Sequence, residues 1–406
     1  MRYASRSRRN RMIKPLVATA VLIGLGVIGY IYTQQSVTPP RQATDTRQPS
    51  DDTVATDLRA EQVEGRYLLT GTIVLARGVE QQAFVNGAYD YEQPFSQLST
   101  LNPDDYDAWV TDLECPITDR IMTFREQVET LVFNCRPEFL DPIKKYFDII
   151  NLANNHSSDQ GEAAFIETQE RLDEAGLQAF GNYDPSVKDD ICNVVALPVR
   201  LQSDEAEEET ATLPVAFCAW HYFTQEPSEG ELDVMLEYVD IMPVFAFTHG
   251  GIEYVAEAQP NQVELAHGLV DRGADFVINN NPHWVQNSEV YNGKLIVYST
   301  GNFIFDQLDQ ETNRAANIDV SLKLDYDQNV QSWIELGENC KSRNDTCLEQ
   351  AQQQQLSKVS PTLTYDVIAS LNGYREITRR ADQATQSAVE DRLNWPVTLR
   401  LLGQSQ

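Results

Sequence analysis

Short apolar runs typical of β-strands recur along this chain, and their alternation with helical segments constrains the fold more than any other feature. The runs span residues 66–76, 147–153, 192–199, 213–219, 242–248, 275–278 and 295–299. Two intervening segments, 162–175 and 261–272, repeat apolar residues at helical spacing. Gly176 and Gly273 follow them and favour helix ends. Strands alternating with helices predict an α/β domain whose strands are covered by helices.

Four short polar motifs lie where apolar runs give way to loops. They are Asp112-Leu113-Glu114-Cys115-Pro116, Ala153-Asn154-Asn155-His156, His249-Gly250-Gly251 and Asn281-Pro282-His283. Loops at the strand ends of an α/β sheet are held by a rigid scaffold and are open to solvent, so they often carry functional side chains. The motifs together predict a divided metal site.

The residue types in these motifs suit a dinuclear hydrolytic centre. Such a centre needs a carboxylate that bridges two ions, with neutral nitrogen and oxygen ligands beside it. The bridging carboxylate is Glu114, and the neutral ligands are Asn155, His249 and His283. His156, next to Asn155, is placed to act as a general acid on the leaving group. The competing interpretation is that these side chains are ordinary polar loop residues.

The chain has five histidines, and their positions separate candidate ligands from structural residues. Three of them belong to the polar motifs that follow strand-like runs. His221 follows the 213–219 run and is a reserve candidate for the same site. His267 lies in the middle of the 261–272 segment, and we expect it to be structural or solvent-facing.

The N-terminal residues predict a membrane anchor. Residues 1–14 carry six cations, and residues 15–34 carry no charge. An apolar helix of this length almost crosses a hydrocarbon core of about 30 Å. Cations before the helix predict a single pass through the cell membrane, with the N-terminus cytoplasmic and the large domain extracytoplasmic. A cleaved secretory signal is the alternative, although no clear cleavage site follows the apolar run.

Residues 35–64 are rich in Thr, Gln, Pro and Asp and predict a flexible linker. Residues 65–406 form the predicted extracytoplasmic domain, which is long enough for a sizeable core. Six cysteines in an exported chain predict disulfides. Cys340 and Cys347 are the expected pair. The other four, which allow three pairings, are Cys115, Cys135, Cys192 and Cys218.

The net charge of −30 makes nucleic acid an unlikely partner, because binding nucleic acid needs clustered cations. The acidic run at residues 203–210 predicts an exposed loop, with Ca²⁺ binding as the alternative. A Gln-rich stretch at residues 349–357 predicts a surface connection. Near the end of the chain, residues 381–394 predict a helix and residues 396–402 predict a strand.

At these motifs the chain resembles the capsule-synthesis CapA family, the poly-γ-glutamate branch of the calcineurin-like metallophosphatases. The resemblance extends from about residue 71 to residue 306. Its anchors in this chain are Gly71-Thr72-Ile73-Val74-Leu75-Ala76-Arg77-Gly78-Val79, Leu113-Glu114 with Pro116, Ala153-Asn154-Asn155-His156 with Asp159 and Gly161, His249-Gly250 with Glu253-Tyr254, Pro282-His283, and Tyr298-Ser299-Thr300-Gly301-Asn302-Phe303. Each anchor alone is weak, but the ordered set is specific.

The resemblance implies a four-layer α/β/β/α sandwich of the metallophosphatase type, anchored in the membrane, with divalent ions of the Mn, Fe or Zn type at the strand ends. It also implies a role in making or retaining an anionic cell-surface polymer, with that polymer or its synthesis machinery as the partner. Glu114 would bridge the ions, and Asn155 and His249 would bind the first. His283 would bind the second, and His156 would assist catalysis. Further residues expected at the pocket are Arg77, Asp112, Asn154, Glu253, Asn281 and Asn302.

Three positions depart from the family pattern. Thr72 stands where the family has Asp, which removes a carboxylate ligand. Asn281 stands where the family has His, which exchanges an imidazole for an amide that binds divalent metals poorly. Asp112 stands where the family has Asn, and the added carboxylate compensates in part.

Three functional interpretations follow from these residues. The first is a membrane-anchored CapA-like protein with a partly altered dinuclear metal site. If active, it is a metal-dependent hydrolase or transferase of the calcineurin-like phosphoesterase type. The second is a non-catalytic surface scaffold or binding protein whose metal site has decayed. The third is an extracytoplasmic phosphoesterase with another substrate.

Overall fold

The computed structural model describes residues 60–202, 209–340 and 344–404. The predicted basic tail, the predicted membrane segment and residues 35–59 of the predicted linker lie outside the described residues, as do residues 203–208 of the acidic run. Within the described ranges, no helix combines the length and the apolar character needed to span a bilayer. All described residues belong to one unit, Asp57–Gln406.

The described residues form sixteen strands and ten α-helices. The strands are β1 Gln62–Ile73, β2 Phe84–Val85, β3 Ala88–Tyr89, β4 Ala108–Leu113, β5 Ile149–Asn151, β6 Gln178–Phe180, β7 Cys192–Gln202, β8 Glu209–His221, β9 Val244–His249, β10 Phe276–Asn280, β11 Ser288–Tyr291, β12 Lys294–Val297, β13 Asn302–Ile304, β14 Arg314–Asp325, β15 Thr362–Gly373 and β16 Glu376–Arg380. The helices are α1 Arg77–Gln82, α2 Phe124–Thr130, α3 Leu140–Ile143, α4 Glu162–Glu174, α5 Glu229–Leu232, α6 Pro260–Asp271, α7 Gln328–Cys340, α8 Asn344–Gln353, α9 Gln383–Leu393 and α10 Trp395–Leu401.

The central strand of the fold is β1. It runs antiparallel to β7 and β14, and parallel to β4 and β13. Beyond β4 the sheet continues through β5 to β6, and beyond β14 it continues through β15 to β16. Beyond β7 it continues through β8, β9, β10 and β12 to β11. Fourteen of the described strands therefore share one branched sheet, and β2 pairs with β3 in a separate hairpin.

The two faces of β1 belong to two different hydrophobic cores. Val63, Tyr67 and Leu69 pack into a core shared with β7–β10, β14 and helices α6, α7, α9 and α10. Leu68 and Ile73 pack into a second core, shared with β4, β5 and α4. Side chains alternate along a strand, so a strand buried on both faces needs apolar residues at successive positions. Burying each large apolar side chain contributes roughly 1.5–3 kcal/mol. The predicted α/β class is confirmed as a mixed α/β fold with a large sheet.

The two helices predicted between strands are confirmed to within one residue at each end, as α4 and α6. Phe165, Thr168 and Leu172 form a buried stripe on α4 at helical spacing. Gly176 and Gly273 follow the helices with φ of 81° and 108°. Glycine adopts these left-handed conformations without a steric penalty, so the predicted stops act as expected.

Several predicted boundaries differ from the structure. β1 begins at Gln62, inside the predicted linker, and β8 begins at Glu209, inside the predicted acidic loop. The prediction of a surface connection at residues 349–357 is wrong for its first part, because α8 extends to Gln353. Gln has a good helix propensity, and Ala351 is buried against the core, so this segment is ordered by packing.

The predicted strand at residues 396–402 is also wrong, because residues 396–401 belong to α10 and Leu402 is its C-cap. Pro396 lies in the first turn of the helix. Backbone N–H groups there have no partner within the helix, so the missing N–H of proline costs no hydrogen bond. Trp395, Thr398 and Leu399 are buried, which is a helical spacing and not the alternation of a strand. The buried residues of this segment therefore follow the helical period.

Three disulfides close within the described residues. Cys340 pairs with Cys347, as predicted. The remaining four cysteines adopt one of the three possible pairings, Cys115–Cys135 and Cys192–Cys218. The second of these bonds joins residues directly opposite each other in β7 and β8. The expectation of disulfides is confirmed.

Replacing both Cys115 and Cys135 with Ser is expected to lower the free energy of unfolding by about 3 kcal/mol, because the bond closes a chain segment of 20 residues. Urea unfolding of oxidised protein measures this loss. The matched control replaces Cys340 and Cys347, which are only 7 residues apart and for which loop entropy predicts a smaller loss. A larger loss for the control would contradict the loop-entropy explanation.

Candidate metal centre

The candidate residues lie at the carboxyl ends of strands or in the loops that follow them. β1, β4 and β5 are parallel to one another, and so are β8, β9 and β10. Within each group the strand ends therefore meet at one edge, where ligand sites of α/β sheets form. A hydrogen bond from His249, the last residue of β9, to Asp112, near the end of β4, joins the two groups. The candidate centre lies at this junction.

Asp112 orients His249. Its Oδ2 accepts from Nδ1 of His249 at 2.7 Å and from the hydroxyl of Thr72 at 3.2 Å. Its Oδ1 accepts from the side-chain amide of Asn154 at 3.0 Å. With both oxygens engaged, Asp112 holds the imidazole so that Nε2 faces the centre, an arrangement typical of metal-binding histidines. The carboxylate added at position 112 thus acts through His249 in this structure.

His249 is fully buried, with an acceptor at each ring nitrogen. Its Nε2 lies 2.9 Å from Oδ1 of Asn155 and 3.8 Å from Oε1 of Glu114. Burial lowers the pKa of His249, but the charge and hydrogen bond of Asp112 and the charge of Glu114 outweigh burial, so the pKa is raised above its ordinary value. The surroundings of Nε2 therefore favour a positive charge, which is also what a metal ion supplies.

Glu114 lies between two imidazoles. Its Oε1 is 3.8 Å from Nε2 of His156 and 3.8 Å from Nε2 of His249. Its Oε2 is buried and has no hydrogen-bond partner. Burial raises the pKa of Glu114 to about 8, and the positive charge of His249 opposes this in part. A buried carboxylate oxygen without a partner is unfavourable unless a cation compensates it.

His156 is held by Asp159 and Phe133. Its Nδ1 donates to Oδ2 of Asp159 at 2.8 Å, and the same oxygen accepts from the backbone amide of Phe133 at 2.6 Å. The imidazole also packs on the Phe133 ring, with 4.2 Å between centroids. These contacts leave Nε2 of His156 facing Glu114, where it can transfer a proton to a bound substrate. Asp159 follows His156 at a spacing that can be read from the sequence, whereas nothing in the sequence points to Phe133.

His283 belongs to a second group beside the first. Its Nδ1 donates to Oδ1 of Asn302 at 2.8 Å, and its Nε2 lies 3.9 Å from Oε1 of Glu253. Burial lowers the pKa of His283 to about 4, so Nε2 is an unprotonated nitrogen able to bind a metal at neutral pH. Oδ1 of Asn281 is buried without a partner, while its Nδ2 donates to the Gly251 carbonyl at 2.9 Å.

Strained backbone marks this edge of the sheet. Arg77, Tyr254, Asn281 and His283 have φ of 47°, 58°, 94° and 60°. Such left-handed conformations are unfavourable for residues other than glycine and persist where the surroundings impose them, often at functional sites. The surrounding structure therefore fixes the backbone of these four residues around the centre, and this conformation costs free energy.

Arg77 lies beside the two histidines, and its Nη2 forms an ion pair with Oδ1 of Asp306 at 2.6 Å. Its guanidinium lies 4.4 Å from the centroid of the Phe133 ring and 5.4 Å from that of Phe305. These two rings in turn contact His156 and His283. Nε of Arg77 is buried without a hydrogen-bond partner. Asp306 and the two rings therefore fix the guanidinium beside the centre, with the charge of Arg77 paired in this structure.

The reserve candidate His221 also lies at this centre. As the last residue of β8, it pairs with His249 in the parallel register of β8 and β9. The centroids of the two imidazoles are 6.2 Å apart. Nδ1 of His221 donates to the backbone carbonyl of Tyr183 at 2.9 Å, and its Nε2 is buried without a partner. Burial lowers the pKa of His221 to about 4, so the ring is neutral at pH 7.

The proposed ligands carry oxygen and nitrogen donors of the kinds that divalent ions bind. Glu114 offers a carboxylate with a buried unpartnered oxygen, Asn155 offers an amide oxygen, and His249 offers a nitrogen oriented from behind by a carboxylate. Among the described residues, no group of three or more His, Cys, Asp or Glu side chains is arranged so that it could hold a metal ion. Any ion here would therefore depend on amide oxygens as well as on Glu114 and His249.

The contribution of Glu114 to the free energy of unfolding of the metal-free protein is expected to fall as pH rises towards 8. Glu114 has a pKa of about 8 in the folded protein against an ordinary value of 4.5, so the folded state holds a proton that the unfolded state releases. The contribution is fully present below pH 4.5 and is lost as pH rises through about 8. Its upper limit is on the order of 5 kcal/mol. Urea unfolding with a chelator, from about pH 4.5 to about pH 8.5, measures the slope.

The matched control for this pH dependence is Glu114→Gln, which keeps the shape of the side chain and cannot titrate. The variant should lose the component of the slope that Glu114 causes. If the free energy of unfolding changes with pH in the same way for the two proteins, Glu114 is ionised in the folded metal-free state. That result would contradict the effect of burial on Glu114.

The fold and the strand-end residues define an α/β protein with a candidate metal centre at the carboxyl ends of parallel strands. This chain belongs to the family described as bacterial capsule synthesis protein PGA_cap, whose model matches residues 66–200 and 206–307. The matched segments contain every candidate metal ligand, and the resemblance to the CapA family is confirmed.

Two curated relatives and one solved structure show how far the similarity reaches. The capsule biosynthesis protein CapA of Bacillus anthracis is 28% identical over 270 residues, which is 63% of each chain. The PGA biosynthesis protein CapA of Bacillus subtilis (strain 168) is 25% identical over 292 residues, 68% of this chain and 69% of that one. The match thus spans less than two thirds of the B. anthracis relative. TT1561 of Thermus thermophilus is 10% identical with a TM-score of 0.34, covering 62% of this chain and 93% of that one.

Proposed function

We propose that this protein works in the synthesis, export or retention of an anionic surface polymer of the poly-γ-glutamate type. Family membership supports this proposal, as do the names of the two CapA relatives, which refer to capsule and PGA biosynthesis. The guanidinium of Arg77 is fixed beside the histidines, where it could turn from its ion pair with Asp306 to an anionic substrate. The partners are then the polymer or the machinery that makes it.

We further propose that the candidate centre carries out a metal-dependent hydrolytic or transfer step. The observation that carries this proposal is Glu114, a buried carboxylate whose Oε1 faces Nε2 of His249 and His156 and whose Oε2 has no hydrogen-bond partner. Glu114, Asn155 and His249 would hold a divalent ion, and His283 with Glu253 offers a position for a second. Such an ion supplies an activated water and stabilises charge on the reacting oxygen.

The chain's own residues define the remaining chemistry. His156, whose Nδ1 is fixed by Asp159, can give a proton from Nε2 to a leaving oxygen. Arg77 would orient the anionic group through its guanidinium. Asp112 keeps His249 in the tautomer with its proton on Nδ1, which leaves Nε2 for the ion.

The wider setting is proposed from the sequence. Residues 15–34 would anchor the protein in the cell membrane with the N-terminus cytoplasmic, and residues 65–406 would form an extracytoplasmic domain. Three disulfides within the described residues support an oxidising compartment. The branched sheet with two cores is compatible with a four-layer α/β/β/α sandwich of the metallophosphatase type.

A specific observation favours a second candidate function, that of a non-catalytic scaffold. Nε2 of His249 and Oδ1 of Asn155 are hydrogen-bonded directly to each other at 2.9 Å, so two proposed ligands satisfy one another. Thr72 lacks the carboxylate that the family pattern has, and its hydroxyl is used by Asp112. A protein of this kind would bind polymer or partner proteins without turning over a substrate.

Genetic complementation tests the proposed function. Cells lacking this protein are complemented with the full chain, with Glu114→Gln, or with Glu174→Gln, a matched change at an exposed position of α4. We expect the wild type and Glu174→Gln to restore the surface polymer and Glu114→Gln to fail. Full restoration by Glu114→Gln would favour the scaffold. Unchanged polymer in the deletion strain, with turnover of phosphoesters by the purified protein, would favour a phosphoesterase with another substrate.

A further inference from the structure

We infer that a cavity beside the candidate metal centre binds a segment of an anionic polymer through two arginines and an apolar wall. The inference rests on the proposed function, because it assigns the ligand class of that function to a second place on the protein. The cavity measures about 480 Å³. In this arginine cavity the charged lining residues are Arg77, Glu80 and Arg136.

The arginine cavity adjoins the candidate centre. Arg77 lines the cavity, and its guanidinium lies 4.4 Å from the centroid of the Phe133 ring, on which His156 packs. Met122 also lines the cavity, and its sulfur accepts from Nε2 of Gln160 at 3.0 Å. Gln160 belongs to the loop that follows His156. A chain-like substrate with one group at the centre would therefore meet this cavity with a neighbouring group.

The charge of the cavity lining differs from that of the rest of the chain. Asp and Glu outnumber Lys and Arg by 61 to 31 in the whole sequence. Two other cavities, of about 740 and 500 Å³, have four and three carboxylates in their linings against one arginine each. The arginine cavity has two arginines against one glutamate. Charge complementarity therefore favours an anionic ligand in this cavity and disfavours one in the other two.

Internal carboxylates fix both arginines without using all of their donors. Nε of Arg136 forms an ion pair with Oε1 of Glu80, and Nη2 of Arg77 forms one with Oδ1 of Asp306. Within the described residues, each guanidinium is hydrogen-bonded through one nitrogen only. A guanidinium has five N–H donors in a planar fork, which matches a carboxylate in a bidentate geometry. The side chains of Arg136 and Arg77 are 18% and 12% exposed, so each is held in place and has donors for a carboxylate of the ligand.

Exposed apolar side chains form a wall of the same cavity. Phe84 and Tyr89 pair across the β2–β3 hairpin, with 5.1 Å between ring centroids, and both line the cavity. They are 53% and 45% exposed, and Ile121, a third lining residue, is 72% exposed. The guanidinium of Arg136 lies 5.1 Å from the centroid of the Tyr89 ring. A small inorganic anion would leave this wall in water, whereas a chain with methylene groups between its carboxylates, such as γ-linked polyglutamate, would cover it.

The experiment titrates the full chain against a short, fluorophore-labelled γ-linked oligoglutamate and measures fluorescence anisotropy. We expect Arg136→Gln to weaken binding at least about tenfold, because it removes a charged hydrogen-bond donor. Ile121→Gln should weaken binding roughly threefold or more, because it removes apolar surface that the ligand covers. Arg400→Gln and Leu401→Gln are the matched controls, exposed on α10, and should bind as the wild type does. Inorganic phosphate should compete poorly with the oligomer.

The outcomes separate the inference from the function on which it rests. If wild-type protein binds the oligomer and both cavity variants bind it equally well, only the inference is overturned. If wild-type protein does not bind the oligomer, the inference is again overturned, whereas the proposed function fails only if the deletion strain keeps its surface polymer unchanged. Displacement of the oligomer by an equal concentration of phosphate would overturn the assignment to a polymer. If Arg136→Gln fails to fold because Glu80 loses its partner, Ile121→Gln decides, and unchanged binding in that variant overturns the inference.

Discussion

Replacing Glu114 with Gln is expected to remove bound divalent metal from the purified protein. The change keeps the size of the side chain but removes the negative charge, leaving Asn155 and His249 with a second neutral amide beside them. We expect a loss of affinity greater than about 100-fold, because losses of roughly 10- to 100-fold already follow from changing groups that only support the ligands. Elemental analysis of the protein as purified and titration with Mn²⁺ or Zn²⁺ measure the effect.

Two controls define the interpretation of that result. Glu174→Gln should retain the metal content of the wild type, because the residue is exposed on α4. Glu253→Gln should act mainly on the occupancy of a second ion, since Oε1 of Glu253 lies 3.9 Å from Nε2 of His283. Metal content that is the same in Glu114→Gln and in the wild type would place the ion elsewhere.

Replacing Asp112 with Asn is expected to destabilise the metal-free protein by about 3–5 kcal/mol, the range for removing one partner of a buried ion pair. Asp112 and His249 are both buried, and the carboxylate is the group that keeps the imidazole charged. The effect should be largest in mildly acidic solution, where His249 is protonated. Urea unfolding at that pH in the presence of a chelator measures it.

The same variant with metal bound should lose much less stability. A metal at Nε2 leaves His249 neutral, and the amide carbonyl of the substituted side chain can still accept from its Nδ1. Thr72→Val is the matched control for the same cluster, and the loss of its single hydrogen bond to Asp112 should cost about 1 kcal/mol. If metal does not lessen the loss in Asp112→Asn, the role of Asp112 is to join β4 to its neighbours and not to balance the charge of His249.

The candidate ligands could be predicted because each lies at the end of an apolar run. Their partners could not, because those contacts join distant parts of the chain. Asp112 and His249 are 137 residues apart, and Phe133 reaches His156 from a segment that follows α2. Strand pairing decides such contacts, and the register of β8 against β9, which brings His221 beside His249, has no sequence signal.

β14 is a strand that the sequence does not predict, and its polar residues are the cause. β14 carries Asn317 and Asp319 within a buried run, which interrupts the apolar pattern. Nδ2 of Asn317 donates to the Ile368 carbonyl at 2.8 Å, and Oδ2 of Asp319 accepts from Arg66 at 2.7 Å. Periodicity indicates a loop for such a strand, because the partners that make its burial possible lie on other strands. At residues 396–402 the sequence predicts a strand where the structure has a helix. The segment has too few apolar residues for its helical spacing to be recognised.

The position of one disulfide has a consequence for the order in which this protein matures. Cys115 directly follows Glu114, and its bond to Cys135 fastens the segment that leaves β4. The sulfur of Cys135 also accepts from the backbone amide of Leu75, in the loop that leads from β1 to Arg77. Closing this bond therefore restrains Glu114 and the approach to Arg77 together. If the centre binds a metal as proposed, oxidation should precede metal loading, so a newly made chain in a reducing compartment would not yet compete for the ions of that compartment.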